Sequence, residues 1–388
     1  MQIGHILKNN IIIYGNYELE KGGRYVMPKS ILDHMNSIYP RCVREKGNFD
    51  NYYNHLNFKD ISNGKKIFLF RSGGIGDLMF MLPLVHYIKK FFDVEIKVAT
   101  TTTYTSIFRN NPYVDKIIIM PFKVEELENS DLHLMFENVI ENNPEAEKNH
   151  AVDLFFGQAG IDYKGISDEE KIPKLFLSED ELKKGEVVVN RLSGNMKNSK
   201  KIGIQISASS PIRTFPLDKF VDIIEELVEK DYFVFLFGGY RQSEEASYIE
   251  SIVKKNLCNL IKFKLSLRDS IIITKFLDLV IAPDSAFIHI AGALGVPIIG
   301  LYGCFPSLVR MRYYKNAIGI DCAVSCSPSF LHGHNPCKKG FPSPCFSVIS
   351  IKNVLDAVAH FLEGTSIKKE YPEYNEFKKG IPIRTIGM

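Results

Sequence analysis

Ile67-Phe-Leu-Phe-Arg-Ser-Gly-Gly-Ile-Gly-Asp77 reads as an apolar strand, a glycine-rich turn and the opening of a helix. An unbroken apolar run fits a strand buried on both faces, as in a parallel sheet. Glycines let the backbone approach a ligand closely, and the N-terminus of the following helix favours an anion. Apolar spacing predicts that helix over Asp77–Phe92, with Pro83 bending it or sitting where its missing N–H is harmless. Strands at Val94–Ala99 and Lys116–Met120 follow, the latter after the breaker Asn110-Asn111-Pro112. Residues 121–197 read as mostly helical, with a capping box at Ser178 and Glu181.

The alternation then restarts. A strand is predicted at Lys201–Ile206, a loop at Ser207–Pro216, a helix at Leu217–Lys230 and a strand at Tyr232–Phe237 that runs into Gly238-Gly239. A helix at Glu244–Lys255, a strand at Leu279–Ala282, a helix at Ser285–Leu294, a strand at Pro297–Tyr302 and a helix at Ile351–Leu362 complete it. Two such runs predict an α/β protein with two Rossmann-like, doubly wound domains facing a cleft. The expected boundaries are 1–64 for a small β-rich module with a helix near Ser30–Tyr39, 65–197 and 198–365 for the two domains, and 366–388 for a tail.

Composition sets the class. The chain has 388 residues, 45% hydrophobic and 24% charged, ordinary for a folded protein. Lys+Arg 48 against Asp+Glu 45 leaves +3, with no basic excess that would point to nucleic acid. The start MQIGHILKNN has no apolar h-region, and the apolar stretch Leu279–Phe305 is broken by Pro283, Asp284, His289 and Pro297, so neither a secretory leader nor a membrane span is expected. The expected location is therefore the cytoplasm, with the seven cysteines reduced or metal-bound.

Four segments could carry chemistry. In the first turn, Gly74 and Gly76 would let a ligand approach, and Asp77 is either a helix cap or a base at the cleft floor. The turn is not G-x-G-x-x-G, and no acidic residue ends the second strand to hold a ribose. In Ser207-Ala-Ser-Ser-Pro-Ile-Arg213, Ser207 and Arg213 suit a diphosphate or make up a polar surface loop. In Asp284-Ser285-Ala-Phe-Ile-His289, Asp284 and Ser285 open a buried helix that could hold phosphate, or they are a cap beside a core histidine. Finally, Cys322-x3-Cys326-x10-Cys337-x7-Cys345 has the density for a tetrahedral Zn or Fe site, or is a loop of thiols, with His332 and His334 nearby. Cys42, Cys258 and Cys304 stand alone as small hydrophobes. No D-x-D triplet, P-loop, G-x-S-x-G or H-E-x-x-H occurs.

Together these segments resemble glycosyltransferase family 9, the ADP-heptose:lipopolysaccharide heptosyltransferases. The matching pieces are Arg71–Asp77 with Pro83, Asn111-Pro-Tyr-Val-Asp115, Arg213-Thr-Phe-Pro216, Phe237-Gly238-Gly239 with Glu244, and Asp284–Ala291 with Gly295-Val-Pro297. They stand in family order over about residues 66–362. The resemblance implies a GT-B fold and an inverting transfer of heptose from ADP-heptose to a hydroxyl of a lipopolysaccharide core or a protein, with no metal at the reaction centre. It puts Asp77 on the catalytic aspartate, Arg213 where the family has a phosphate-binding Lys, and Asp284, Ser285 and His289 on the donor motif. Two positions depart from it: Ala286 stands where the family has Gly, and Arg213 changes the hydrogen-bond geometry of a Lys. The N-terminal module and the cysteines are similar to those of autotransporter heptosyltransferases, which implies a structural Fe or Zn rather than a catalytic one. A sugar-nucleotide epimerase and a degenerate nucleotide-sugar binder are the rival readings, and attachment at the inner membrane and homo-oligomerisation stay open.

Overall fold

A computed structural model describes residues 2–6, 11–14, 17–38, 43–48, 58–322, 324–327, 329, 337 and 344–366. Cys42, His332, His334 and all of the 366–388 tail except its first residue lie outside the described residues. The chain forms two compact, interleaved units: Met1–Val139 with Phe155–Ile166, and Ile140–Leu154 with Ser167–Met388.

The first unit is built on a four-stranded parallel sheet in the order Leu132–Met135, Lys66–Phe70, Glu95–Thr101, Lys116–Met120. The quoted Ile67–Phe70 run is central and fully buried, as an apolar strand between two neighbours must be. The helix after it spans Ile75–Phe91 and contains Pro83. The strand Leu132–Met135 lies in the segment expected to be mostly helical. Its four residues are too few for periodicity to tell strand from helix, and only pairing with Ile67–Phe70 decides.

The N-terminal residues add a second, antiparallel sheet in the order Val43–Asn48, Gln2–Ile6, Arg24–Met27, Phe122–Lys123, with a helix at Lys29–Ile38. The last strand comes from the connection between Lys116–Met120 and Leu132–Met135, so the module is stitched into this unit rather than hung on a linker. Val26 shares a core with Phe68, Phe70, Ile118 and Phe122. Arg24 pairs with Glu125 and Glu128, and Lys123 with Glu20.

The second unit carries a six-stranded parallel sheet in the order Leu257–Asn259, Phe233–Phe237, Lys201–Gln205, Leu279–Pro283, Ile298–Tyr302, Ala317–Asp321. This is the doubly wound order, in which ligands bind at the carboxyl ends where the winding reverses. Here that point lies between Lys201–Gln205 and Leu279–Pro283. The apolar stripe of the helix Leu217–Glu229 (Phe220, Val221, Ile223, Ile224, Leu227, Val228) and that of Ile351–Glu363 cover the sheet in one core. The expected capping box at Ser178 and Glu181 is present. Among the described residues, no helix is long and apolar enough to cross a membrane.

Candidate active site

The reversal point of the first sheet lies between Lys66–Phe70 and Leu132–Met135, and both strand exits contribute to it. Asp77 lies in the first turn of the helix, where a carboxylate is favoured. Its Oδ2 accepts from the Arg71 guanidinium. The Arg71 side chain is 8% exposed and that of Asp77 20%, so the cation is walled in while the carboxylate keeps an open side. Ser72 donates through its backbone N–H and, at 3.0 Å, through its hydroxyl to Glu137. Gly74 has φ +82°, and a Cβ added there would collide with the Asp77 carboxylate, so this glycine is required twice over. Arg71 and Glu137 are the residues that sequence reasoning missed: Arg71 stood in the quoted motif without a role, and Glu137 follows the unrecognised strand.

At the reversal point of the second sheet, the loop after Lys201–Gln205 meets the turn after Leu279–Pro283. Arg213 Nη1 lies 3.4 Å from Asp284 Oδ2, and Arg213 Nη2 donates to Ser209 Oγ at 2.6 Å. The Asp284 side chain is 4% exposed and that of Arg213 25%, so the aspartate is buried and the arginine reaches toward solvent. Ser207 is pinned by Gln205 Nε2, which donates to its carbonyl at 3.0 Å. Ser285 is the N-cap of the helix Ala286–Ala293, yet its hydroxyl makes no capping bond. Ser285 Oγ is buried without a hydrogen-bond partner among the described residues, and so is Arg310 Nη1. Arg310, the residue of this half that sequence reasoning missed, stacks over the Phe305 ring at 4.7 Å. A buried donor without a partner costs about 1–3 kcal/mol, which marks both atoms as places for a ligand group or water.

Gly238 opens the next loop, beside a cavity of about 230 Å³ lined by Gly239, Tyr240, Leu260, Ile261, Lys264 and Ser270 among others. A Cβ at Gly238 would come within 2.7 Å of Ile261 Cδ1, at the cavity wall. Lys264 Nζ covers the Tyr240 ring at 4.8 Å, leaving an apolar slot with a cationic rim.

His289 sits in the core and shares a 3.0 Å hydrogen bond between Nδ1 and Tyr314 OH. Burial pushes its pKa down to about 3 from the usual 6.5. The folded chain therefore binds no proton there while the unfolded chain binds one, so this share of stability is lost as pH falls from 6.5 toward 3. The loss is about 1.4 kcal/mol per pH unit inside that window. Asp321, held up at about 6 by burial, acts in the opposite sense. It is common to wild type and variant, so the comparison cancels it. The stability advantage of wild type over His289→Asn, read from urea midpoints, is expected to shrink between pH 7 and pH 5; an unchanged gap would mean that His289 is protonated in the fold.

The four-cysteine site expected from the sequence is not formed among the described residues, where no three His, Cys, Asp or Glu side chains gather as around an ion. Cys322 and Cys345 belong to the apolar core with Phe346, next to Gly303. Cys337 packs on Ile212, Cys304 and Phe305, and Cys326 is half-buried. Apolar packing, in which cysteine acts as a small hydrophobe, puts Cys322 and Cys345 in one cluster and Cys337 against another.

A family model described as glycosyltransferase family 9 (heptosyltransferase) matches residues 128–338. Lipopolysaccharide heptosyltransferase 1 of Campylobacter coli is 24% identical over 343 residues, which are 76% of this chain and 98% of that protein. Among solved structures, ADP-heptose lipopolysaccharide heptosyltransferase II of E. coli superposes with a TM-score of 0.58 at 18% identity, covering 77% of this chain and 99% of that one. The iron-containing dodecameric glycosyltransferase TibC of enterotoxigenic E. coli gives 0.57 at 10% identity, covering 78% of each. These likenesses bear out the GT-B architecture of two Rossmann-like sheets.

Proposed function

The chain belongs to glycosyltransferase family 9, and from that premise we propose that it transfers a heptose from ADP-heptose to a sugar hydroxyl of a lipopolysaccharide core, with inversion at the anomeric carbon. Its relatives with that activity support the donor and acceptor classes. One observation carries the donor side: the unpartnered Ser285 Oγ at a helix N-terminus, where the second sheet reverses, beside the outward Arg213. That set of donors suits a diphosphate. The apolar slot beyond Gly238 suits the base of the nucleotide.

In this reading Asp77 takes the proton of the acceptor hydroxyl as its oxygen bonds to the anomeric carbon. The bond from that carbon to the diphosphate oxygen breaks with its electron pair on the oxygen. Arg213, Ser285 and the helix N-terminus stabilise the charge that collects there. Ala286 is the first residue of the helix that follows Ser285. No step in this reading is routed through a metal.

Differential scanning fluorimetry with a panel of nucleotides and nucleotide sugars tests the donor. ADP and ADP-heptose are expected to raise the melting temperature, the stabilisation reaching about 2.7 kcal/mol at 100 times the dissociation constant, and UDP-sugars to do so far less. Heptose transfer to a heptose-deficient lipopolysaccharide core, followed by mass spectrometry, tests the acceptor. Release of ADP only when the core is present supports the reading; conversion of the sugar nucleotide without acceptor would favour an epimerase, and a silent panel would overturn the donor assignment.

A further inference from the structure

We propose that Arg71, clamped between two strand exits, is the positioning residue that keeps Asp77 ionised and fixed in place, and that Glu137 locks the turn carrying both. This inference rests on Asp77 acting as the base.

Arg71 is the first residue beyond the central strand, and its backbone N–H still donates to Ala99 O at 3.2 Å, so its Cα is held by the sheet. Its guanidinium then works in three directions at once. Nε donates to Gly73 O at 3.0 Å, Nη1 to Phe136 O at 2.6 Å, and Nη2 to Asp77. A lysine has one point charge and could not hold the turn, the neighbouring strand exit and the carboxylate together. A cation at ion-pair distance favours the ionised carboxylate, the form a base requires.

Glu137 closes the assembly from the other side. Phe136 N donates to Phe70 O at 2.9 Å, so the residue before Glu137 is also tied to the central strand. The Glu137 carboxylate takes both the N–H and the hydroxyl of Ser72. A glycine-rich turn ordinarily offers such an N–H to a phosphate; here the anion is supplied internally. The Ser72 N–H is therefore taken by Glu137 rather than left for a phosphate. Among the described residues, the charged groups facing Asp77 include Arg71 from the central strand and, through Ser72, Glu137 from its neighbour, and the first turn of the helix carries no other acid. Tyr104 stands beside Gly73 from the turn after Glu95–Thr101.

The test uses Arg71→Met, Arg71→Lys and Glu137→Gln in the full chain, with kcat, donor KM and the pH dependence of kcat. Arg71→Met is expected to lower kcat about 100-fold, the lower end of what a base contributes, with donor KM within a few-fold of wild type. The acid limb of its pH profile is expected to move up by about one pH unit or more. Arg71→Lys should restore the limb but only part of kcat, because charge returns without the fork. Glu137→Gln should lower kcat less and leave the limb in place. A merely structural arginine would lower the melting temperature and leave the limb unmoved. Wild-type kcat and an unmoved limb in Arg71→Met overturn the proposal while Asp77→Asn remains inactive; an active Asp77→Asn overturns the base itself. Should Arg71→Met fail to fold, Arg71→Gln, which keeps donors and loses the charge, takes its place: reduced kcat with the acid limb moved up supports the clamp, and an unmoved limb overturns it.

Discussion

Asp77→Asn is expected to cut turnover by about 10²–10⁴-fold, the usual contribution of a general base, while ADP-heptose still raises the melting temperature as it does for wild type. Asparagine has the same size and keeps an oxygen for Arg71, so the turn should survive. What it lacks is the capacity to take a proton from the acceptor. Asp77 belongs to the first unit and the proposed diphosphate donors to the second, so loss of chemistry with intact donor binding is the specific signature. Wild-type turnover would reduce Asp77 to a helix-terminal charge and return the site to the status of a binding surface.

Arg213→Ala is expected to slow transfer by about 10²–10³-fold and to weaken donor binding as well, because the same cation meets the ground-state diphosphate and the greater charge of the departing one. The variant also strips Asp284 of its partner. That carboxylate is buried, and an uncompensated buried charge is strongly destabilising, so part of any loss will be stability rather than chemistry. Arg213→Lys separates the two effects. It restores a charge opposite Asp284 without the planar fork, and partial turnover with near-normal stability is expected. Unchanged affinity and rate in Arg213→Ala, measured well below its melting temperature, would remove this residue from the donor site.

Much of the architecture was legible because apolar runs such as Ile67–Phe70 and Phe233–Phe237 can be satisfied only in the middle of parallel sheets. Short strands resisted reading. Leu132–Met135, Leu257–Asn259 and Ala317–Asp321 depend on pairing with distant residues, which no local pattern encodes. The consequences differ. Missing Ala317–Asp321 cost only an edge strand, whereas missing Leu132–Met135 hid Glu137 and the carbonyl that anchors Arg71. Asp77, Arg213, Asp284 and Ser285 stand out from their positions at strand exits, the places where an α/β sheet exposes helix termini. Arg310 gave no such sign, since a lone arginine in a short helix shows nothing in sequence of its burial over the Phe305 ring. Cysteine density along the loop says nothing about which thiols turn inward, and Cys322 and Cys345 lie in the apolar core.

The interleaving of the two units constrains how such a protein can be inherited. Residues 140–154 belong with the downstream half and residues 155–166 with the upstream half, so no single breakpoint in the gene separates one unit from the other. A crossover just after codon 139 would strand Phe155 from Phe136, on which it stacks at 5.2 Å, and Phe156 from Tyr87. A crossover just after codon 166 would part Asp153 from the buried ammonium of Lys171, 2.9 Å away, and from the Tyr313 hydroxyl. Recombination between diverged copies would thus be punished at either seam. New donor preferences are accordingly more accessible by point substitution around the carboxyl-terminal loops of the second sheet than by exchange of whole halves, and the two halves travel through descent as one unit of selection.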